Sequence, residues 1–181
     1  MDFQEKTINQ EYFFKGEVIK LRVDTVSTPM GNTSTREIVE HPGGVCVLPL
    51  TEDGKVIMEW QYRRPFDTTL YELPAGKLFP GEDPLECGKR ELEEETGVCA
   101  RKYTDLGKIY PTPGFCSEKI HLYLATDLYQ GKTNPDEDEL IVTETVPLEE
   151  LIDKVLNGEI TDAKTCVALL KANEMKRRGL I

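Results

Sequence analysis

Between Glu17 and Val26 the side chains alternate, with Ile19, Leu21 and Val23 on one side and Lys20, Arg22 and Asp24 on the other. A period of two predicts a half-exposed antiparallel strand. Pro29-Met30-Gly31-Asn32 carries turn chemistry, Thr35–Glu40 reads as the returning strand, and His41-Pro42-Gly43-Gly44 punctuates the chain. Residues 1–42 are therefore expected to form a small N-terminal β unit and residues 43–181 a second domain. A sheet that small buries little and exposes its edges, so packing on the main domain or on a second subunit is expected.

Val45–Leu50 and Lys55–Tyr62 flank Glu52-Asp53-Gly54, which predicts a hairpin. In the second run Val56, Met58, Trp60 and Tyr62 share one face; Ile57, Glu59, Gln61 and Arg63 share the other. Trp60, among apolar neighbours, is expected in the core, the alternative being a ring that stacks on a purine. Strand patterns follow at Thr69–Leu73, Tyr103–Tyr110, Lys119–Thr126 and Leu140–Val146. Between them lies a helix with Asp83 as N-cap, Pro84 as its first residue, Glu86 as capping-box partner and Gly97 as its stop. Two more helices are expected at Leu148–Leu156 and Ala163–Arg177, the second capped by Thr161 or Asp162, with Gly158 and Gly179 as stops. Strands and helices mix without regular βαβ alternation, which predicts an α/β fold with a mixed sheet flanked by helices.

A chain of 181 residues suits one domain with an appendage. Its 22 Lys+Arg against 33 Asp+Glu leave a net charge of -11, opposite to the balance of a nucleic-acid binder. A phosphate-bearing ligand would need divalent cations to bridge two negative partners. Residues 1–10 carry neither a basic nor an apolar targeting region, and no apolar stretch approaches the roughly 20 residues of a membrane span. Five cysteines, an odd number without Cys-x-x-Cys spacing, read as thiols of a reducing compartment. A cytoplasmic protein with neither a nucleic-acid nor a membrane partner is expected.

Arg90-Glu91-Leu92-Glu93-Glu94-Glu95 places four carboxylates in six residues. On a helix, like charges such as Glu91 and Glu95 at i,i+4 repel. At about 100° per residue Glu91, Glu94 and Glu95 lie along one face and Glu93 points elsewhere. Three carboxylates on one side make a hard oxygen site for Mg²⁺ or Mn²⁺; a solvated acidic face is the bland alternative. The surroundings decide between them. Gly76, five residues, Glu82, seven residues, then Arg90-Glu91-Leu92-Glu93-Glu94-Glu95-Thr96-Gly97-Val98 fits GX5EX7REUXEEXGU (U, bulky aliphatic) at every fixed position. Chance gives such a match on the order of once in a billion windows.

This segment resembles the Nudix hydrolase box, complete over residues 76–98, and the flanking similarity extends over most of residues 36–170. The resemblance implies a Nudix α/β/α sandwich, here with a small N-terminal antiparallel β extension. It implies Glu91 and Glu95 as principal metal ligands, assisted by Glu94 and the Ala75 carbonyl. Two or three Mg²⁺ ions are expected, with Mn²⁺ as a substitute. Gly76, Glu82 and Gly97 support the box, Glu82 by pairing with Arg90. Glu94, Glu95 and Arg90 are counted with Glu118 as the catalytic group. Glu118 is the candidate general base, at the end of the Pro111–Glu118 loop; a surface glutamate is the alternative.

Gln61–Pro65, Glu72–Gly76, Pro111–Glu118, Asp136–Glu139 and Asp162–Thr165 resemble the ADP-ribose and sugar-nucleotide pyrophosphatase branch. That branch implies Arg63 at the diphosphate or terminal ribose and Gly114 in the substrate loop. Arg36 and Glu37 would meet the nucleoside, a surface ion pair being their alternative. It further implies a homodimer through the N-terminal β unit. His41 and His121 lack metal-ligand spacing and are expected to be structural. The implied activity is Mg²⁺-dependent hydrolysis of ADP-ribose to AMP and ribose 5-phosphate. GDP-mannose or another nucleotide sugar is the alternative substrate. A non-catalytic ADP-ribose sensor is disfavoured, because every box carboxylate is present.

Overall fold

A computed structural model describes residues 2–133 and 140–181, so the acidic run 136–139 lies outside the described residues. The chain divides into two compact units, Met1–Gly43 with Tyr110–Lys119, and Gly44–Ile109 with Ile120–Ile181.

In the first unit β1 (Lys6–Lys15), β2 (Lys20–Ser27) and β3 (Thr33–Glu40) form an antiparallel sheet in the order β1-β2-β3. The turn between β2 and β3 closes through Thr28 and Asn32, with Gly31 at φ 82. Strand β1 was not predicted from the sequence, for a reason its register shows. Shifts between Thr7 and Asn9 and between Tyr12 and Phe14 interrupt the two-residue period. Asp24 is buried in this sheet and accepts from Arg22 and Gln10. The segment 110–119 joins β3 through Val39, whose N–H donates to the Phe115 carbonyl at 2.8 Å; the Ser117 N–H donates back at 2.9 Å.

The second unit is built on β4 (Gly44–Pro49), which is buried along its whole length. Its alternate side chains serve two different cores. Val45 and Val47 pack with Cys87 and Leu92 of α1 (Pro84–Thr96). Cys46 and Leu48 pack with Leu122 and Leu124 of β9 (Ile120–Gln130), Leu148 and Leu151 of α2 (Leu148–Leu156), and Leu169 of α3 (Ala163–Arg177). One sheet between two helical layers follows, each buried leucine contributing about 2 kcal/mol. Helix α1 sits close because Gly88 has no Cβ; one placed there would stand 3.0 Å from a Val45 methyl and 3.1 Å from a Val47 methyl.

The central sheet runs β7-β4-β9-β8, with β7 at Ala75–Lys77 and β8 at Val98–Ile109. It is mixed: β4 is parallel to β9 and antiparallel to β7. A second antiparallel sheet runs β10-β5-β6, from Ile141–Pro147, Lys55–Arg63 and Thr68–Glu72. The expected β4–β5 hairpin is therefore not formed. Both edges of β4 are taken, and only a bridge between Leu50 and Val56 links it to β5. The turn is still present, with Gly54 at φ 81.

Trp60 corrects a second expectation. Val56 and Met58 are core residues, but Trp60 is 41% exposed, stacked on Tyr71 with ring centroids 4.4 Å apart. Beyond Met58 the strand leaves the apolar core, and the opposite face becomes the covered one, burying Glu59 and Gln61. Helix α1 starts and stops as its sequence predicts. Asp83 caps the Leu85 and Glu86 N–H groups, and Gly97 ends it at φ 69. The Glu86 carboxylate pairs with Lys89 at 2.7 Å instead of completing a capping box. Helices α2 and α3 have the predicted bounds, and Asp162 caps α3 through the Thr165 N–H.

Candidate active site

The acidic face of α1 is organised by one guanidinium. Arg90 reaches Glu82 with Nε at 3.1 Å, and its Nη1 lies 2.8 Å from Glu91 and 3.0 Å from Glu94. The Glu82 carboxylate also accepts the Phe79 N–H at 2.9 Å, tying the loop ahead of the helix to its middle. Burial raises the Glu82 pKa, but the Arg90 hydrogen bond, the Phe79 N–H and the Arg90 charge together outweigh it and hold the carboxyl below its usual range. Burial likewise disfavours charge on Arg90; Glu82, then Glu91, reverse that and raise it. Glu93 points away, as expected, and accepts the Lys132 N–H at 3.2 Å.

Glu91 and Glu95 meet the short strand β7. Glu95 is 7% exposed and accepts the Ala75 N–H at 2.9 Å. The Glu91 carboxylate fills the space beside Gly76: a Cβ there would lie 1.8 Å from Oε1 and 1.9 Å from Cδ. Any other residue at position 76 would displace this side chain. Register explains the Ala75 geometry. Val47 bonds the Pro74 carbonyl across the ladder, so the Cys46–Ala75 pair opposite is of the non-hydrogen-bonded kind. In such a pair N–H and C=O both point away from the partner strand. The Ala75 carbonyl therefore shares the edge of the N–H that holds Glu95.

These residues fit a divalent cation on two grounds. The donors are hard oxygens, and the Gly76 gap admits a carboxylate where a side chain would exclude it. Among the described residues no group of three or more acidic, histidine or cysteine side chains is already gathered in a coordinating arrangement; Arg90 holds Glu91 and Glu94. Arg90 thus meets three carboxylates, those of Glu82, Glu91 and Glu94, with one positive charge.

Arg63 lies in a second cluster. Its Nε and Nη2 donate to the two oxygens of Glu72, each at 2.8 Å, a bidentate pair with Nη1 outside it. Glu72 is almost fully buried and also accepts from Lys164, which lies 3.1 Å from Asp162. Burial raises the Glu72 pKa, but Arg63 and then Lys164 outweigh it and hold the carboxyl below its usual range. Lys164 entered the sequence reading only within the Asp162–Thr165 segment, with no role of its own. The available signal was Glu59, Gln61 and Arg63 at alternate strand positions, which asks for charge on the facing element.

The remaining candidates belong to the first unit. Arg36 pairs with Glu5 and not with Glu37, because consecutive residues of β3 face opposite ways; it also donates to Ser34 Oγ at 2.9 Å. Gly114 is exposed, with open space around its Cα. Glu118 is half-buried, 3.5 Å from His41 Nδ1. That nitrogen accepts the Gly43 N–H at 3.1 Å, and the His41 N–H donates to Ser117 Oγ at 3.0 Å, so this histidine ties its loop together.

Residues 40–167 match the NUDIX domain family. The sequence is 46% identical over 168 residues to an ADP-ribose pyrophosphatase of Bacillus subtilis (strain 168), covering 92% of this chain and 91% of that protein. It is 44% identical over 169 residues to a methanol dehydrogenase activator of Bacillus methanolicus, covering 92% and 91%. The fold superposes on the crystal structure of an ADP compounds hydrolase with a TM-score of 0.86 over 100% of both chains, at 24% identity.

Proposed function

Because the chain belongs to the NUDIX family, we propose that it is a divalent-metal-dependent pyrophosphohydrolase that cleaves ADP-ribose to AMP and ribose 5-phosphate. Hydrolases of this family generally depend on a divalent metal. The observation that carries the reading is the complete box folded around Gly76, with Glu91 and Glu95 brought to β7. Likeness to an ADP-ribose pyrophosphatase over nearly the whole chain supports the substrate.

In this reading Glu91 and Glu95 hold two or three Mg²⁺ ions, Mn²⁺ being a substitute, with Glu94 and the Ala75 carbonyl assisting. When bound, such ions neutralise a diphosphate and polarise the attacked phosphorus. The chain's own part is positional. The Ala75 N–H orients Glu95, Gly76 leaves room for Glu91, and Arg90 keeps Glu82 and Glu94 in place. Arg63, Arg36, Glu37 and Gly114 are proposed substrate contacts, and Glu118 the general base. The exposed Ile8, Phe13 and Phe14 of β1 support a homodimer through the N-terminal sheet. No helix of the described residues is long and apolar enough to cross a membrane, and a cytoplasmic location is part of the proposal.

The test is Mg²⁺-dependent hydrolysis of ADP-ribose, GDP-mannose, UDP-glucose, NADH and diadenosine polyphosphates at equal concentration, with products identified. A clear kcat/KM preference for ADP-ribose, giving AMP, is expected. Preference for GDP-mannose would keep the metal site and overturn the base recognition. Tight ADP-ribose binding without hydrolysis of any compound would make the protein a sensor. For the base, Glu118→Gln is expected to lower kcat strongly; an unchanged rate and pH profile would remove Glu118 from that role.

A further inference from the structure

The segment ahead of the box is held from the far end of the chain. The Thr165 hydroxyl, fully buried, accepts the Leu73 N–H at 2.9 Å, and Lys164 bonds the buried Glu72 carboxylate. Each contact spans 92 residues of sequence. Both side chains come from the first turn of α3, whose cap residue Asp162 binds the Thr165 N–H at 3.0 Å and Lys164 Nζ at 3.1 Å. The next residue, Pro74, is fixed by the Val47 N–H at 2.9 Å. Three consecutive residues thus have assigned partners, and the fourth, Ala75, presents its N–H to Glu95.

We infer that Lys164 and Thr165 are positioning residues for the metal-holding carboxylates, acting through residues 72–76. The inference rests on the metal-dependent reading above. The β7 edge that meets Glu95 and Glu91 has only three residues of ladder, Ala75–Lys77 against Gly44–Cys46. A ladder that short sets register weakly by itself. The α3 clamp fixes where it begins, and so where the Ala75 amide and the Gly76 gap stand relative to α1. Groups that hydrogen-bond a metal ligand, as the Ala75 N–H bonds Glu95, typically change metal affinity by about 10–100-fold when lost, so residues that set where such a group stands are expected at the lower end.

Mn²⁺ binding to the full-length protein, followed by the electron paramagnetic resonance of free Mn²⁺ without substrate, tests this. Lys164→Gln and Thr165→Val should weaken Mn²⁺ binding about tenfold and raise the Mg²⁺ needed for half-maximal turnover by the same factor. KM for ADP-ribose at saturating Mg²⁺ should stay unchanged in Thr165→Val, whose hydroxyl bonds Leu73 and not the Glu72–Arg63 pair. Lys164→Arg and Thr165→Ser should restore most of the affinity. Ala172→Gly, buried on the same helix away from the clamp, should lower Tm and leave Mn²⁺ binding intact. Wild-type Mn²⁺ binding in Lys164→Gln would overturn the inference, even if Thr165→Val failed to fold. An equal loss in Ala172→Gly would assign the effect to stability and overturn it too. Normal Mn²⁺ binding in Glu95→Gln would instead remove the metal site itself, and the inference with it.

Discussion

Two groups of buried or half-buried carboxylates in the second unit are handled in opposite ways. Around Glu72 two cations converge: Arg63 and Lys164 both bond its buried carboxylate, and Asp162 stands beside Lys164. On α1 one cation is shared: Arg90 reaches Glu82, Glu91 and Glu94, and the Ala75 amide bonds Glu95. A buried carboxylate clamped between two cations in a low dielectric is a rigid scaffold. Carboxylates that share one cation repel one another, and a divalent cation would relieve that repulsion. Under the proposed function the first cluster is the scaffold and the second the cation site, on elements packed within one unit.

The comparison breaks most visibly at the acidic face of α1. Glu91→Gln and Glu95→Gln should each cut ADP-ribose turnover by several orders of magnitude while circular dichroism shows the fold retained; near-normal turnover in both would sink the metal assignment. A smaller loss is expected from Gly76→Ala, which leaves every carboxylate present but drives a methyl group into the space of Glu91. Turnover should fall about a hundredfold through weaker metal binding. Wild-type Mn²⁺ affinity in this variant would show that Glu91 need not occupy that gap.

The Glu72 cluster should answer through stability and pH. The Glu72 carboxyl is held below its usual range in the folded protein. Its contribution is therefore complete above the unfolded pKa of about 4.3, and is lost as pH falls toward the depressed folded value. Glu72→Gln should be less stable at pH 7 by about 2 kcal/mol, and should lack this share of the acid-side loss. Urea midpoints of both proteins from pH 7 to pH 3 measure it. Parallel pH curves would show that Glu72 carries no such charge-dependent stability.

How much of this was legible in advance depends on the range of the interaction. The Asp83 cap and the Gly97 stop are local to one helix, so spacing revealed them, and the box resemblance supplied the nearby pairing of Arg90 with Glu82. The bounds of α2 and α3 were legible for the same reason. Strand β1 was not, because two register shifts erase its alternation. Trp60 was misplaced because the face of β5 that is covered changes after Met58, and that depends on what packs over the strand.

The sequence by itself determined the acidic helix, its chemistry and its family, since those follow from residue type at fixed spacing on one element. Only the tertiary structure decided that β4 takes β7 and β9 as neighbours and leaves β5 to another sheet. It alone placed the Ala75 amide against Glu95, and Lys164 and Thr165 against Glu72 and Leu73. Those contacts join residues 20 and 92 positions apart, and no periodicity along the chain records which distant edges and helix ends will meet. Competition among strands for free edges, and the demand that every buried charge find a partner, settle that only when the whole chain is packed.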